Sequence, residues 1–193
     1  MFKIKYLSSV ILIAAIILSC TPDDIKDKKE WNLVFRDGLL YSDSLTTKPF
    51  TGYYKGKVMG KSIEYEVVDG KRNGILILYN ENGFVETLGY LKENKNHGEW
   101  KYYYPNGELE SIGIFYDDKP DSVWNWFYMN GLLMQEGIFK SGKREGEWKH
   151  FDDFGNLTMI MKYKNDVLID SLFLKEKSTD KTENADELNL HKE

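Results

Sequence analysis

The chain is poor in cysteine, proline and histidine: among 193 residues there are one Cys, four Pro and three His. A lone Cys excludes an intrachain disulfide and any multi-cysteine zinc site. The three histidines are scattered. His97 falls at a turn between repeats, His191 in a polar tail, and His150 in a strand, at the position where earlier copies carry Tyr102 and Trp126. His150 therefore reads as a packed ring rather than as a ligand or base. The paired carboxylates Asp117-Asp118 and Asp152-Asp153 fall at turns, where Asp bonds its own backbone. General acid–base work needs groups in a shared cleft with separated pKa values. The expectation is a protein that is not an enzyme, with no cofactor, no metal and no catalytic residue. Positive charge is also scarce: 26 Lys and Arg stand against 31 Asp and Glu, a formal net charge of −5. Phosphate contacts need clustered Lys and Arg, so nucleic acid is not an expected partner. A membrane-length apolar run is missing too. From Tyr6 to Leu18 the chain is largely apolar, but thirteen residues of helix rise about 20 Å, short of the roughly 30 Å hydrocarbon core.

That short run has another reading. Lys3 and Lys5 precede it and no acid does, so residues 1–19 are expected to be a signal peptide with its apolar h-region. The residues ahead of the lone cysteine, Ile17-Leu18-Ser19-Cys20, resemble the bacterial lipobox. That resemblance implies cleavage before Cys20 and acylation of its thiol, making Cys20 the lipidation site. An ordinary secretory signal with an incidental Cys remains the alternative. Loss of Lys3 and Lys5 with the leader would lower the formal charge from −5 to −7. An acidic chain is repelled by anionic headgroups, so the lipid would be the membrane contact. Residues 20–30 are polar and charged and read as an acidic tether. Thr21 rather than Asp follows the Cys, which resembles outer-membrane more than inner-membrane lipoproteins. The Asp23-Asp24 pair is loosely similar to the surface-export signal of Bacteroidota lipoproteins, and reads equally as a solvated tether. The expected address is the bacterial cell envelope, as an outer-membrane lipoprotein on the periplasmic or surface face.

Aromatics are plentiful, at 15% with 13 Tyr, 10 Phe and 5 Trp, and such rings favour a pleated surface. They recur with a period of 24 residues. Gly74–His97, Gly98–Asp121, Ser122–Glu145 and Gly146–Ile169 are four copies of one unit. Trp100, Trp124 and Trp148 form one column, with Leu76 in the same place. Gly83, Gly107, Gly131 and Gly155 form a second. Gly89, Gly113 and Gly137 form a third, which Met161 breaks. A fixed period of this size marks a repeat architecture. Gly52 to Gly74 is a shorter, degenerate copy, as expected of a terminal unit.

The unit reads as a β-hairpin. Trp100, Tyr102 and Tyr104 fall on one face, and Glu99, Lys101 and Tyr103 on the other. Pro105-Asn106-Gly107 turns, because Asn and Gly tolerate positive φ. Leu109, Ser111, Gly113 and Phe115 follow on one face of the return strand. Glycine inside a strand marks a close approach, so the Trp or Tyr of a facing strand is expected to lie over the missing side chain. Gly70, Asn94, Asp118, Gly142 and Asp166 supply a second turn column. Trp31–Phe35 and Leu39–Tyr41 read as an opening hairpin about Asp37-Gly38. The expected fold is all-β: an elongated, twisted, single antiparallel meander of about ten strands over residues 31–174, with residues 175–193 a disordered tail. The stretch GKVMGKS at Gly56–Ser62 is close to a phosphate-binding loop. Only three residues separate Gly56 from Gly60, and Ile63–Val68 alternates as a strand instead of opening a helix. Nucleotide is not an expected ligand.

The pattern G-x-W-x-x-Y/F…N-G-x-L…G-x-F resembles the MORN-repeat variant family of bacteria, over about Asp37–Ile169. The resemblance implies a sheet of stacked hairpins and a binding role, since some members are described as antitoxins and others are envelope proteins. The leading expectation is a lipid-anchored scaffold that holds a protein partner at the envelope. An antitoxin or immunity protein, and a structural or glycan-binding envelope protein, are the alternatives. Trp126, Tyr103 and Phe127 fit no single face easily and are the candidate binding surface, with rings packed in the core as the competing reading.

Overall fold

Tight turns and alternating apolar residues divide the chain into strands throughout residues 32–174, the range that the computed structural model describes. β1 (Val34–Arg36) and β2 (Leu39–Tyr41) form a separate two-stranded sheet. β3 (Gly52–Val58), β4 (Lys61–Val68), β5 (Lys71–Tyr79), β6 (Val85–Lys92), β7 (Lys95–Asn96), β8 (Gly98–Tyr103), β9 (Leu109–Tyr116), β10 (Lys119–Phe127), β11 (Leu133–Lys140), β12 (Lys143–Phe151), β13 (Leu157–Lys164) and β14 (Val167–Phe173) form one antiparallel sheet of 12 strands. They follow chain order from β3 at one edge to β14 at the other, with the short β7 beside β6. The single meander is as expected, but the strand count and the opening hairpin differ. The first strand is Val34–Arg36, not Trp31–Phe35, and its hairpin stands outside the main sheet. The signal segment 1–19, Cys20, the tether 20–30, Trp31 and the tail 175–193 lie outside the described residues.

Each repeat is a hairpin closed by a three-residue loop. The amides of Gly83, Gly107, Gly131 and Gly155 bond the carbonyls of Asn80, Tyr104, Tyr128 and Asp152 at 2.8–3.0 Å, and these glycines alone in the loops take positive φ, from 81° to 88°. Asn106 and Asn130 do not share that backbone, contrary to expectation. They act through their side chains: Asn106 Oδ1 accepts from Glu108 N–H at 3.1 Å and Asn130 Oδ1 from Leu132 N–H at 3.0 Å. Asn80 and Asp152 do the same job from the start of their loops, for Phe84 and Asn156. The turns between repeats carry positive φ at both central residues: Asp69-Gly70, Glu93-Asn94, Asp117-Asp118, Ser141-Gly142 and Asn165-Asp166. These are the primed turns whose twist matches that of the flanking strands.

Successive inter-repeat turns are sewn together. Asn94 Oδ1 accepts from Arg72 N–H, Asp118 Oδ1 from Asn96 N–H and Asp166 Oδ1 from Arg144 N–H, each at 2.8 Å. Position 120 is a proline and has no N–H to offer; its partner in the next turn is Gly142, which has no acceptor. The two losses match, and the Gly142 amide still bonds the Pro120 carbonyl at 2.8 Å. A second stitch runs from the side chains of Thr51, Asn73, Asp121 and Glu145 to the amides of Asp69, Glu93, Ser141 and Asn165. His97 occupies this place in the remaining copy and makes no such bond. Its Nδ1 lies 3.6 Å from the Asp117 carboxylate, beyond hydrogen-bond distance, and the strand is interrupted there, between β7 and β8.

Within a repeat the strands pair in regular register up to a one-residue bulge near the hairpin tip, as in Trp100↔Gly113, Trp124↔Gly137 and Trp148↔Met161. Between repeats they do not. Asp121 pairs with Ile114 and Asn125 with Ile112, so β10 carries two extra residues against β9. The same excess separates Glu145 from Lys149 on β12. The bulges centre on the opening positions Gly74, Gly98, Ser122 and Gly146, whose φ values are 74°, 70°, 60° and 70°. A bulge locally bends and twists the strand. Here it carries each tryptophan across onto the preceding repeat.

Trp100 lies over Gly89, Trp124 over Gly113 and Trp148 over Gly137, and a β-carbon at any of these glycines would overlap the indole. The expected ring-over-glycine contact is present, and it is made eleven residues along the chain, across the repeat boundary. The indole N–H of Trp100 donates to the Tyr90 carbonyl and that of Trp124 to Ile114, both at 3.1 Å. A continuous row follows: Trp100, Tyr102, Trp124, Trp126 and Trp148, with neighbouring centroids 5.6–6.5 Å apart and planes within 29–33°. Phe115, Phe139 and Tyr163 stand edge-on beside it. Such offset and edge-to-face pairs are favourable beyond the area they bury. The three column tryptophans are only 3–6% exposed, although the sheet is a single layer. Gly113→Ala should therefore destabilise the protein by about 3 kcal/mol through overpacking. Gly107→Ala, with open space but φ of 88°, should lose only about 1 kcal/mol. Urea unfolding of the two variants measures the difference.

Candidate binding face

The sheet has two sides of unlike chemistry. One carries the ring row and the glycines beneath it. On the other, Ile75 pairs with Tyr90 and Val123 with Ile138, while Ile114 pairs with Glu99. Ile75, Tyr90, Ile114, Val123 and Ile138 are 42–52% exposed. They are strand residues whose side chains meet no second layer among the described residues, and together they cross three repeats. Next to them runs a half-buried line containing Ile77, Leu88 and Ile112, interleaved with Lys101, Glu136 and Lys149.

The charges on this side neutralise one another. Lys101 Nζ lies 2.8 Å from Glu99, a bond that raises the lysine's pKa. Lys149 lies 3.4 Å from Glu136. A shallow hollow is lined by Ile75, Leu88, Tyr90, Glu99 and Lys101. A surface of aliphatic groups among paired charges suits an interface of ordinary protein–protein composition, and contiguous exposed apolar patches mark interaction sites.

The three candidate aromatics do not come together. A bulge near the tip of each hairpin pairs Trp126 with Gln135 but Phe127 with Leu133, and Tyr102 with Ser111 but Tyr103 with Leu109. Trp126 therefore belongs to the ring row. Tyr103 and Phe127 lie on the opposite side at equivalent places in two repeats. Leu109 is turned out of line with Ser111, Gly113 and Phe115, with which alternation alone would group it. All three aromatics are half-buried. The exposed residues Ile75, Tyr90, Ile114, Val123 and Ile138 escaped sequence reasoning, although strict alternation from Trp124 and Gly137 assigns Val123 and Ile138 to the far face. Tyr104 and Tyr128 were also under-read: their hydroxyls donate to the Phe127 and Phe151 carbonyls of the next repeat, at 2.7 and 2.8 Å.

The titratable groups are bound into the scaffold. Asp117-Asp118 and Asp152-Asp153 sit at turns. The backbone amide of Ser141 holds the Asp121 carboxyl below its usual range, and that of Arg144 does so for Asp166. Asp152 is lowered by Asn156. Glu64 is a buried carboxylate bonded by the Tyr53 hydroxyl and by Lys55 at 3.0 Å. Gly56–Ser62 forms the end of β3, a turn at Met59-Gly60 and the start of β4. No group of three or more His, Cys, Asp and Glu among the described residues could hold a metal ion.

Two stretches of the chain, residues 96–118 and 144–165, match the family described as MORN repeat variant. They coincide with the second and fourth hairpin units. No curated protein matches the chain. Among solved structures it is similar to one titled as accessory secretory protein 1,2 and 3 in Streptococcus pneumoniae, at 15% identity and a TM-score of 0.18, over 58% of this chain and 17% of that one. The chain thus spans about a sixth of that protein's length, and so low a score bears on neither fold nor function.

His150 gives this architecture a pH dependence. It follows Tyr102 and Trp126 in their column, its Nε2 is buried without a partner, and burial pushes its pKa below the usual 6.5. The unfolded chain therefore takes up a proton first. The His150 contribution to stability is complete above about pH 6.5 and is lost as the pH falls through the lowered value. His150→Tyr, which restores the residue of the second repeat, should flatten the dependence of unfolding free energy on pH between about 7 and 5. Denaturant titrations at several pH values measure it.

Proposed function

We propose that the protein is a non-catalytic, lipid-anchored component of the bacterial cell envelope whose repeat sheet holds a protein partner. The observation that carries the reading is the apolar row Ile75, Tyr90, Ile114, Val123 and Ile138, exposed on the side opposite the packed ring row. The two matches to a repeat family support a scaffold role. The anchor rests on the sequence Ile17-Leu18-Ser19-Cys20 and the polar stretch after it. In this reading Cys20 carries the lipid, the acidic segment 20–30 keeps the sheet clear of the headgroups, and the partner docks on the aliphatic row.

Affinity capture from envelope fractions, with the wild type and an Ile114→Lys/Val123→Glu variant, tests the face. The variant should lose at least about tenfold in partner affinity, while its unfolding free energy changes by only about 0.5 kcal/mol per exposed site. A partner retained by the variant would place binding elsewhere, and the absence of any specific partner across growth conditions would remove the scaffold role. Cys20→Ala should move the chain from the membrane pellet to the soluble fraction and abolish fatty-acid labelling. Unchanged membrane association would contradict the anchor.

A further inference from the structure

The two margins of the main sheet carry opposite charge. The five turns between repeats lie along one margin. The four hairpin tips lie along the other, with the β3–β4 turn at Met59-Gly60. Taken with two residues on either side, the turns between repeats hold nine Lys and Arg against five Asp and Glu. The tips and the β3–β4 turn, taken the same way, hold two Lys against six Asp and Glu. Part of the basic excess comes from lost partners. Lys71 pairs with Glu93 at 3.2 Å and Lys95 with Asp117 at 3.8 Å, whereas Ser141 and Asn165 stand where acids for Lys119 and Lys143 would be.

Between the margins, on the side opposite the rings, run two rows of side chains. The exposed apolar row, which includes Glu99 and Glu147, is nearer the turns, and the half-buried line of Ile112, Lys101 and Lys149 is nearer the tips. On any one strand the two rows stand two residues apart. β5, β6 and β9 place an apolar residue in each row, as with Ile114 and Ile112. β8 and β12 place an acid in one row and a lysine in the other, Glu99 with Lys101 and Glu147 with Lys149. β10 and β11 set an apolar residue beside Asn125 and Glu136, and Lys149 lies 3.4 Å from that glutamate. A rotation that exchanges the rows therefore brings apolar groups onto apolar groups and acids onto lysines.

We propose, on the reading that the apolar row is a docking surface, that this face packs on the same face of a second copy of the chain. The two-fold axis lies between the rows and runs across the strands. Sheets pack face to face with their strands aligned to within about 30°, and two two-fold arrangements do this. An axis along the strands lays turns over turns and tips over tips, which sets like charges together. The axis across the strands lays the basic margin of each copy over the acidic margin of the other. It also sets each strand over its own counterpart with the rows exchanged. Glu99 then meets Lys101 of the partner subunit, Glu147 meets Lys149 of the partner subunit, and Ile114 meets Ile112 of the partner subunit. Charge thus selects between two arrangements of similar apolar area. The pairing is isologous, as a closed dimer requires. Both β3 edges lie at the same end of the dimer, so both proposed anchors reach one membrane. Two rows of side chains over about six strands make a small interface, so the association is of the weak class.

The full chain in a Cys20→Ser background should sediment as a dimer at roughly 100 μM, doubling its 22.6 kDa. Glu99→Lys and Lys101→Glu each set like charges across the axis. Each variant should lose self-association at least about tenfold, with thermal unfolding unchanged. An equimolar mixture of the two variants should recover the dimer, because the altered charge of each then meets its opposite across the axis. The contact within one chain, Lys101 to Glu99 at 2.8 Å, cannot give that result, since it stays broken in both variants. A dimer retained by either single variant in folded protein, or no recovery in the mixture, would overturn the proposal. A monomeric wild type would overturn it as well, and capture with the Ile114→Lys/Val123→Glu variant would decide separately whether the row takes a different protein.

Discussion

A tryptophan laid across a glycine of the preceding hairpin holds this molecule together. A single hairpin is marginal in water, and a one-layer sheet has no second sheet or helix against which to bury a face. The chain meets that problem by filling its own surface. The first three repeats leave gaps at Gly89, Gly113 and Gly137, and the repeat that follows each lays a tryptophan over it. The contact is reciprocal along the array, so no unit is stable without a neighbour, and stability accumulates through interfaces, as in other repeat proteins.

The same contact explains where the glycine column begins and ends. In the places of glycine and facing tryptophan, Tyr65 pairs with Leu76 and Met161 with Ser171. Neither site faces a tryptophan, and neither is a glycine. Large and small residues exchange places at both ends of the array, which is how a packed layer conserves volume. The bulges at Gly74, Gly98, Ser122 and Gly146 make the contact possible, because two extra residues carry each ring over the repeat boundary. The stitched turns along one margin and the tyrosine hydroxyls along the other keep successive hairpins in step. With the rings committed to one side, the far side keeps its aliphatic groups in water.

The architecture was legible because it is periodic. Turn glycines, alternating aromatics and a 24-residue repeat together specify a meander of hairpins, and the Gly and Trp columns imply their own contact. What escaped was set by backbone geometry that leaves little trace in residue type. The inter-repeat bulge rests on one position, and Ser122 at φ 60° holds it as the glycines do. The tip bulge, one extra residue in the return strand, moves Leu109 to the side of Tyr103, and simple alternation cannot register it. Asn106 and Asn130 were recognised as turn residues for the wrong reason, since their amide oxygens rather than their φ angles matter. The aliphatic face went unnoticed because isolated isoleucines and valines between charges look like ordinary strand residues. Only the pairing register sets Ile75 beside Tyr90 and Val123 beside Ile138.

The most direct test is a double-mutant cycle between Gly113→Ala and Trp124→Leu, with unfolding free energies read from urea titrations. A methyl at residue 113 falls inside the space of the Trp124 ring. Gly113→Ala should therefore be strongly destabilising beside Trp124 and close to neutral beside leucine, a coupling of about 3 kcal/mol. Additive effects of the two substitutions would contradict it.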